Sequence, residues 1–355
     1  MTVKPSSVTV QDRGSPKHRA PAVPASGPVP FSAEGGSPDA AGTRVQEREL
    51  VFDGLTYTCR IAQAGGSGTP MLILGGSEQN RLSWTRHEKR IVLDSPVVTV
   101  DLPGYGTADF LPARYGIDYL AAAARHLVDE LGMERVALFG ACFGGAIALR
   151  FAQHYPSLVE RLMLSGMSTA ITADYTAAME RWESMIALGD TQDIARELTE
   201  RFMSPPGTGT VRKYAAVGRL VYQQVAGQSP DSLRKSAEHN RRLMRHEWYR
   251  PEPCPQVPAL VVTGEHDTLT TPDMGRRVAS VLPAAQFLTV LETDHLAPLE
   301  RSADFADLMV RFLTDQPLAG LSYATAPEPF IGGQAVHSPV SQSRTTASLP
   351  GAAPL

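Results

Sequence analysis

One segment constrains the fold of this chain more than any other: Arg135-Val-Ala-Leu-Phe-Gly-Ala-Cys-Phe-Gly-Gly-Ala-Ile-Ala-Leu-Arg150. Val136 to Phe139 is a short β-branched and aromatic run that predicts a buried strand, and Ala146 to Gln153 predicts a helix. Between them, Gly140-Ala141-Cys142-Phe143-Gly144 has the form of a nucleophile elbow, with cysteine where serine is usual. A strand that turns at once into a helix leaves no room for side chains, so small residues flank the central one. The turn would hold Cys142 strained and exposed at a strand end, with a helix N-terminus behind it. That placement favours a thiolate through the helix dipole and offers backbone N–H groups to a developing oxyanion. The alternative is a glycine-rich turn in which a buried cysteine is filler.

Around this segment strands and helices alternate. Residues 49–52 and 56–61 predict a hairpin about Asp53-Gly54. Apolar runs at 71–74, 97–100, 162–164, 259–262 and 287–291 have the length of strands buried on both faces. Helical periodicity falls at 119–131, 274–282 and 303–313. The pattern implies an α/β fold, a mostly parallel sheet flanked by helices. From 169 to 251 the rhythm breaks into helices at 176–188, 191–202, 212–225 and 232–243, with no strand. Such an insertion would form an all-helical lid above the carboxyl ends of the strands, where open α/β sheets bind ligands. The expected organisation is a core of residues 45–168 and 252–316, a lid of 169–251, and tails at 1–44 and 317–355. Residues 1–44 are dense in Pro, Ser, Gly and Ala, and the end is dominated by Ser, Thr, Pro and Ala from about Pro327, so the first tail is expected to be disordered and the second mostly so.

A formal net charge of −4 argues against a nucleic-acid partner. Cys59, Cys142 and Cys254 are too few and too scattered for a disulfide framework or a zinc site. No apolar stretch is long enough to cross a membrane, and the N-terminus lacks the apolar core of a signal peptide, so a cytoplasmic location is expected. No metal-ligand spacing and no phosphate-binding glycine motif is present, so no cofactor is expected. The lid is unevenly charged: from Arg201 to Arg250 ten Lys or Arg stand against Asp231, Glu238 and Glu247. This is either a solvated helix face or a docking surface for an acidic partner or an anionic substrate tail.

An elbow cysteine needs a base, and the base needs an orienting carboxylate. In this topology they come in chain order, acid and then histidine, after later strands. Asp267 ends the run Ala259-Leu-Val-Val-Thr-Gly-Glu-His-Asp267, and His295 ends Phe287-Leu-Thr-Val-Leu-Glu-Thr-Asp-His295. Among the other histidines, His266 adjoins the proposed acid, His126, His154, His239 and His246 lie on helical stretches, and His18 and His337 fall in the tails. His87 is the remaining rival. Glu265 and Asp294 are read as serving the turn or a surface hydrogen bond. The oxyanion hole should combine the N–H of Phe143 with that of Gly76 or Ser77 from Leu74-Gly-Gly-Ser-Glu-Gln-Asn80, where paired glycines let the backbone approach a substrate oxygen. Gly75 and Tyr105, the latter in Asp101-Leu-Pro-Gly-Tyr-Gly106, are candidate substrate contacts. Asp101 is read as bracing its turn.

On Gly75-Gly76, Asp101-Leu-Pro-Gly-Tyr-Gly106, Gly140-Ala-Cys-Phe-Gly-Gly145, Gly264-Glu-His-Asp267 and Asp294-His295, the chain resembles the α/β-hydrolase fold superfamily from about Val45 to Gln316. More narrowly, Ile186-Ala-Leu-Gly-Asp-Thr-Gln-Asp-Ile-Ala195 and Asp267-Thr-Leu-Thr-Thr-Pro-Asp273 resemble bacterial acyltransferases that make 3-hydroxyacyl precursors of rhamnolipids and polyhydroxyalkanoates. That resemblance implies an acyl donor on acyl carrier protein, an acidic partner suited to the basic lid. Those acyltransferases have serine at the elbow, whereas cysteine there is similar to polyhydroxyalkanoate synthases and dienelactone hydrolases. The expected activity is acyl transfer through Cys142, from a thioester or ester to an alcohol, amine or water. Hydrolysis by the same residues and a non-catalytic binding module are the alternatives.

Overall fold

The computed structural model describes residues 42–331 together with 334 and 335. The rest of both expected tails lies outside the described residues. β1 (Arg44–Phe52) and β2 (Leu55–Gln63) form an antiparallel hairpin. Asp53 and Gly54 turn it with φ of 51° and 78°, the mirror-image turn whose twist matches that of the strands. Next come β3 (Met71–Leu74), α1 (Thr85–Ile91), β4 (Val97–Asp101), α2 (Ile117–Glu130), β5 (Val136–Ala141), α3 (Phe143–His154) and β6 (Val159–Ser165). Four helices, α4 (Ala173–Leu188), α5 (Thr191–Phe202), α6 (Tyr214–Ala226) and α7 (Pro230–Arg245), separate β6 from β7 (Ala259–Gly264). α8 (Pro272–Ala279), β8 (Ala284–Val290), α9 (Ala297–Glu300), α10 (Ser302–Leu313), β9 (Glu328–Ile331) and β10 (Gln334–Ala335) complete the order.

The strands make one sheet in the order β1-β2-β4-β3-β5-β6-β7-β8-β9-β10. β4, β3, β5, β6, β7 and β8 run parallel, and antiparallel strands close both edges. Alternate residues of each central strand feed opposite faces. Leu72 and Leu74 join the core under α2, α3 and α8, while Met71 and Ile73 join the core under α1 and α10. This two-sided burial explains why the central strands are continuously apolar. The inserted helices bury Met179, Trp182, Ile194, Leu198, Val217 and Val221 in an extension of the first core. Thr172, Asp190 and Ser229 cap three of them by accepting the N–H of Tyr175, Asp193 and Ser232.

One expectation narrows. The part of the C-terminal tail, expected to be mostly disordered, that falls at 328–331 pairs as β9 along β8, and before it Leu318, Tyr323 and Ala324 are buried, as is Phe330, with Ala324 bridging Val290. Composition misleads here because these widely spaced apolar residues cover the open edge of β8, a long-range role invisible in a local window. The structure also adds the helix α1, which is polar and buries only His87, Glu88 and Ile91.

The lid's positive charge is mostly spent internally. Arg201, Arg212, Arg234, Lys235, Arg241 and Arg250 each pair with a carboxylate, and the buried Arg242 donates to backbone carbonyls of Leu111 and Tyr115. Lys213, Arg219 and Arg245 are the lid cations without such a partner among the described residues. No helix among the described residues is long and apolar enough to cross a membrane.

Candidate active site

Cys142 sits between β5 and α3 with φ 48° and ψ −114°, a positive-φ conformation that a side chain adopts only under tertiary constraint. Its N–H donates to the Ser165 carbonyl at 2.7 Å, and its carbonyl accepts from Gly145 at 2.9 Å. The glycine at 144 is sterically required: a Cβ there would lie 2.1 Å from the Leu74 carbonyl oxygen. The backbone therefore aims the sulfur out of the sheet, beside the start of α3.

Asp267 and His295, in the turns that follow β7 and β8, come together there. His295 Nδ1 donates to Asp267 Oδ2 at 2.9 Å, and His295 and Cys142 line the same cavity. Asp267 is buried and saturated, accepting from the N–H groups of Leu269 and Thr270 and from Thr270 Oγ1 at 2.7 Å. Burial pulls the His295 imidazolium toward losing its proton. The Asp267 carboxylate and Cys142 outweigh this and hold its pKa well above the usual histidine value.

Phe143 is the first residue of α3, so its N–H has no intrahelical acceptor. The second candidate donor is narrowed. Gly76 N–H is taken by Gln79 Oε1 at 2.8 Å, whereas Ser77 N–H meets no acceptor among the described residues. Ser77 lines the space on both sides of Cys142. One side is a cavity of about 240 Å³ reaching past His295 and Gln224 to Leu82 and Leu220, both exposed at 48% and 43%. The other is a narrow apolar slot walled by Phe143, Ile171, Tyr175, Leu243 and Trp248. Gly75 and Tyr105 line neither, so they are not brought to Cys142.

A family model of the α/β hydrolase fold matches residues 69–302. The chain belongs to the α/β-hydrolase fold family. The acetyltransferase component of the acetoin-cleaving system of Pseudomonas putida is 25% identical over 286 residues, covering 80% of this chain and 73% of that protein. A 2-hydroxymuconate semialdehyde hydrolase of Pseudomonas sp. is 26% identical, covering 78% and 96%. The enol-lactonase of Burkholderia xenovorans superposes with a TM-score of 0.66 at 20% identity, over 75% of this chain and all of that one.

Several residues that build this hydrolase-fold site escape sequence reasoning. His239 on α7 is buried, with Nε2 2.7 Å from Ser77 Oγ and Nδ1 3.0 Å from the Tyr105 hydroxyl. Phe202, the last residue of α5, stacks on His295 with ring centroids 5.7 Å apart. Glu78 is held by Gln228 and Ser236 from the lid. Asp294, read as a turn or surface residue, is buried and accepts from Ser204 of the lid. His87, the rival base, is buried with Nε2 donating to the Pro298 carbonyl, and burial pushes its pKa down to about 4. His266 lies against Gly209 and Glu265 instead of the sulfur. Asp101 accepts from Arg81 and Thr107, bracing its turn. Among the described residues no three His, Cys, Asp or Glu side chains are grouped to hold a metal ion.

Proposed function

We propose that this α/β hydrolase is an acyl-transfer enzyme that carries its acyl group on Cys142. The supporting observation is one arrangement: Cys142 and His295 line the same cavity, and His295 Nδ1 is held at 2.9 Å by Asp267. His295 takes the thiol proton, and Asp267 keeps the imidazole in the tautomer that can accept it. The sulfur adds to a thioester or ester carbonyl, while the N–H groups of Phe143 and Ser77 receive the oxyanion. As the tetrahedral adduct collapses, the C–S or C–O bond to the leaving group breaks, and His295 protonates that group. An alcohol, amine or water then gives its proton to His295 and attacks acyl-Cys142, which releases product and returns the sulfur.

Acyl-Cys142 is itself a thioester, so loading from a thioester donor exchanges one C–S bond for another at almost no thermodynamic cost. The intermediate keeps enough free energy to acylate an alcohol or amine. Water as acceptor gives the second reading, a thioesterase, esterase or lactonase, and the relatives that are hydrolases favour keeping it. Intact-protein mass spectrometry after mixing with a short acyl thioester tests the proposal. A single acyl adduct is expected, on Cys142 and absent from Cys142→Ala. No adduct together with full turnover by Cys142→Ala would overturn it. Product analysis with and without a hydroxyacyl acceptor separates transfer from hydrolysis.

A further inference from the structure

A buried polar chain runs from the lid into the oxyanion loop, and each link has its direction dictated by chemistry. Arg242, 1% exposed, can only donate, and its Nη1 does so to the Tyr105 hydroxyl at 3.0 Å. Among the described residues that hydroxyl has one other partner, His239 Nδ1 at 3.0 Å, so the phenolic proton goes there. His239 is buried beside the Arg242 charge; both effects lower its pKa, to about 3, and the ring is neutral. Its one proton therefore sits on Nε2 and is donated to Ser77 Oγ at 2.7 Å. Ser77 Oγ is thus an acceptor, and its own proton meets no acceptor among the described residues. Ser77 lines the space that borders Cys142 on either side.

We infer that the Ser77 hydroxyl is a third hydrogen-bond donor to the acyl oxygen at Cys142, aimed by the one-way chain Arg242–Tyr105–His239. The assignment rests on the acyl-Cys142 reading. It makes Ser77 a catalytic residue through its side chain as well as its backbone, and makes Tyr105 and His239 positioning residues. Losing Tyr105 would free His239 to take its proton on Nδ1 and Ser77 to donate into Nε2, withdrawing the proton from the substrate.

Two measurements test this. Nitrogen-15 NMR of histidine-labelled protein, with His239 assigned by its loss in His239→Gln, should show a protonated Nε2 and a bare Nδ1. A proton on Nδ1 overturns the inference. Stopped-flow release of p-nitrophenol from p-nitrophenyl acetate should show a burst. Ser77→Ala keeps the backbone N–H but should slow that burst about 100-fold, with its amplitude and the KM little changed. Tyr105→Phe should slow it comparably, and the double variant no further than Ser77→Ala alone. His239→Gln, whose amide can still donate to Ser77, should recover part of the rate lost in His239→Phe. A wild-type burst rate in Ser77→Ala, or losses that multiply in the double variant, overturns it. The tautomer is read without turnover, so absence of any burst in the wild type sinks the acyl-Cys142 reading separately.

Discussion

At the scale of single residues, the site depends on a few atoms with no freedom to move. Cys142 is held at positive φ, and the glycine two positions on cannot carry a Cβ, so the sulfur's position is a backbone property. Against the Asp294 backbone, a second buried acid sets a pH limit. Burial, and then the adjacent Asp294 carboxylate, push the Glu300 carboxyl from 4.5 up to about 9. The folded chain thus keeps a proton that the unfolded chain releases. Stability from this group is fully present below about pH 4.5 and is lost as pH rises toward 9. Glu300→Gln mimics the protonated form and cannot titrate. Urea midpoints of the wild type should fall from pH 5 to pH 9 more steeply than those of Glu300→Gln; equal slopes would refute the assignment.

At the scale of elements, what can be read from sequence depends on how local each signal is. Asp267 and His295 each follow an apolar strand, and Cys142 sits in a turn whose small residues announce it, so all three are visible as candidates. Their convergence in space is not. His239 reads as an ordinary helix residue because nothing within a turn of it reveals Ser77, 162 positions earlier. β9 is hidden since its partner is β8, and α1 because its buried face includes Glu88 paired with Arg60 from β2. The lid's charge misleads in the other direction. A count of cations along the chain cannot show that six of ten are paired. If the acyl donor rides on an acidic carrier, the lid cations left to receive it among the described residues are Lys213 and Arg219, on and beside α6, and Arg245 at the end of α7. Reversing all three to Glu should raise KM for a carrier-bound thioester about tenfold and leave KM for a small thioester unchanged. Equal effects on both donors would place the carrier elsewhere.

At the scale of the whole molecule, one ten-stranded sheet separates two apolar cores, and its last parallel strand is protected by the segment that runs from α10 into β9. A chain ending at residue 326 leaves β8 as an open edge and exposes the surface that Phe330 covers. It should lose about 3 kcal/mol of stability and aggregate on warming, whereas a chain ending at 335 should behave as the full one. Matching melting temperatures for the two would show that the edge needs no cover. The lid obeys a different constraint. It leaves the top of β6 and returns to the foot of β7, and these two strands lie side by side and parallel. The helices over the cavity are therefore also the crossover that lets the sheet continue. A parallel pair needs a dozen or more residues to make that return. Such a lid can be exchanged for another of its kind, or lengthened, but it cannot simply be deleted. Substrate range in a molecule wired this way changes by replacing one connection with another while the sheet beneath stays threaded.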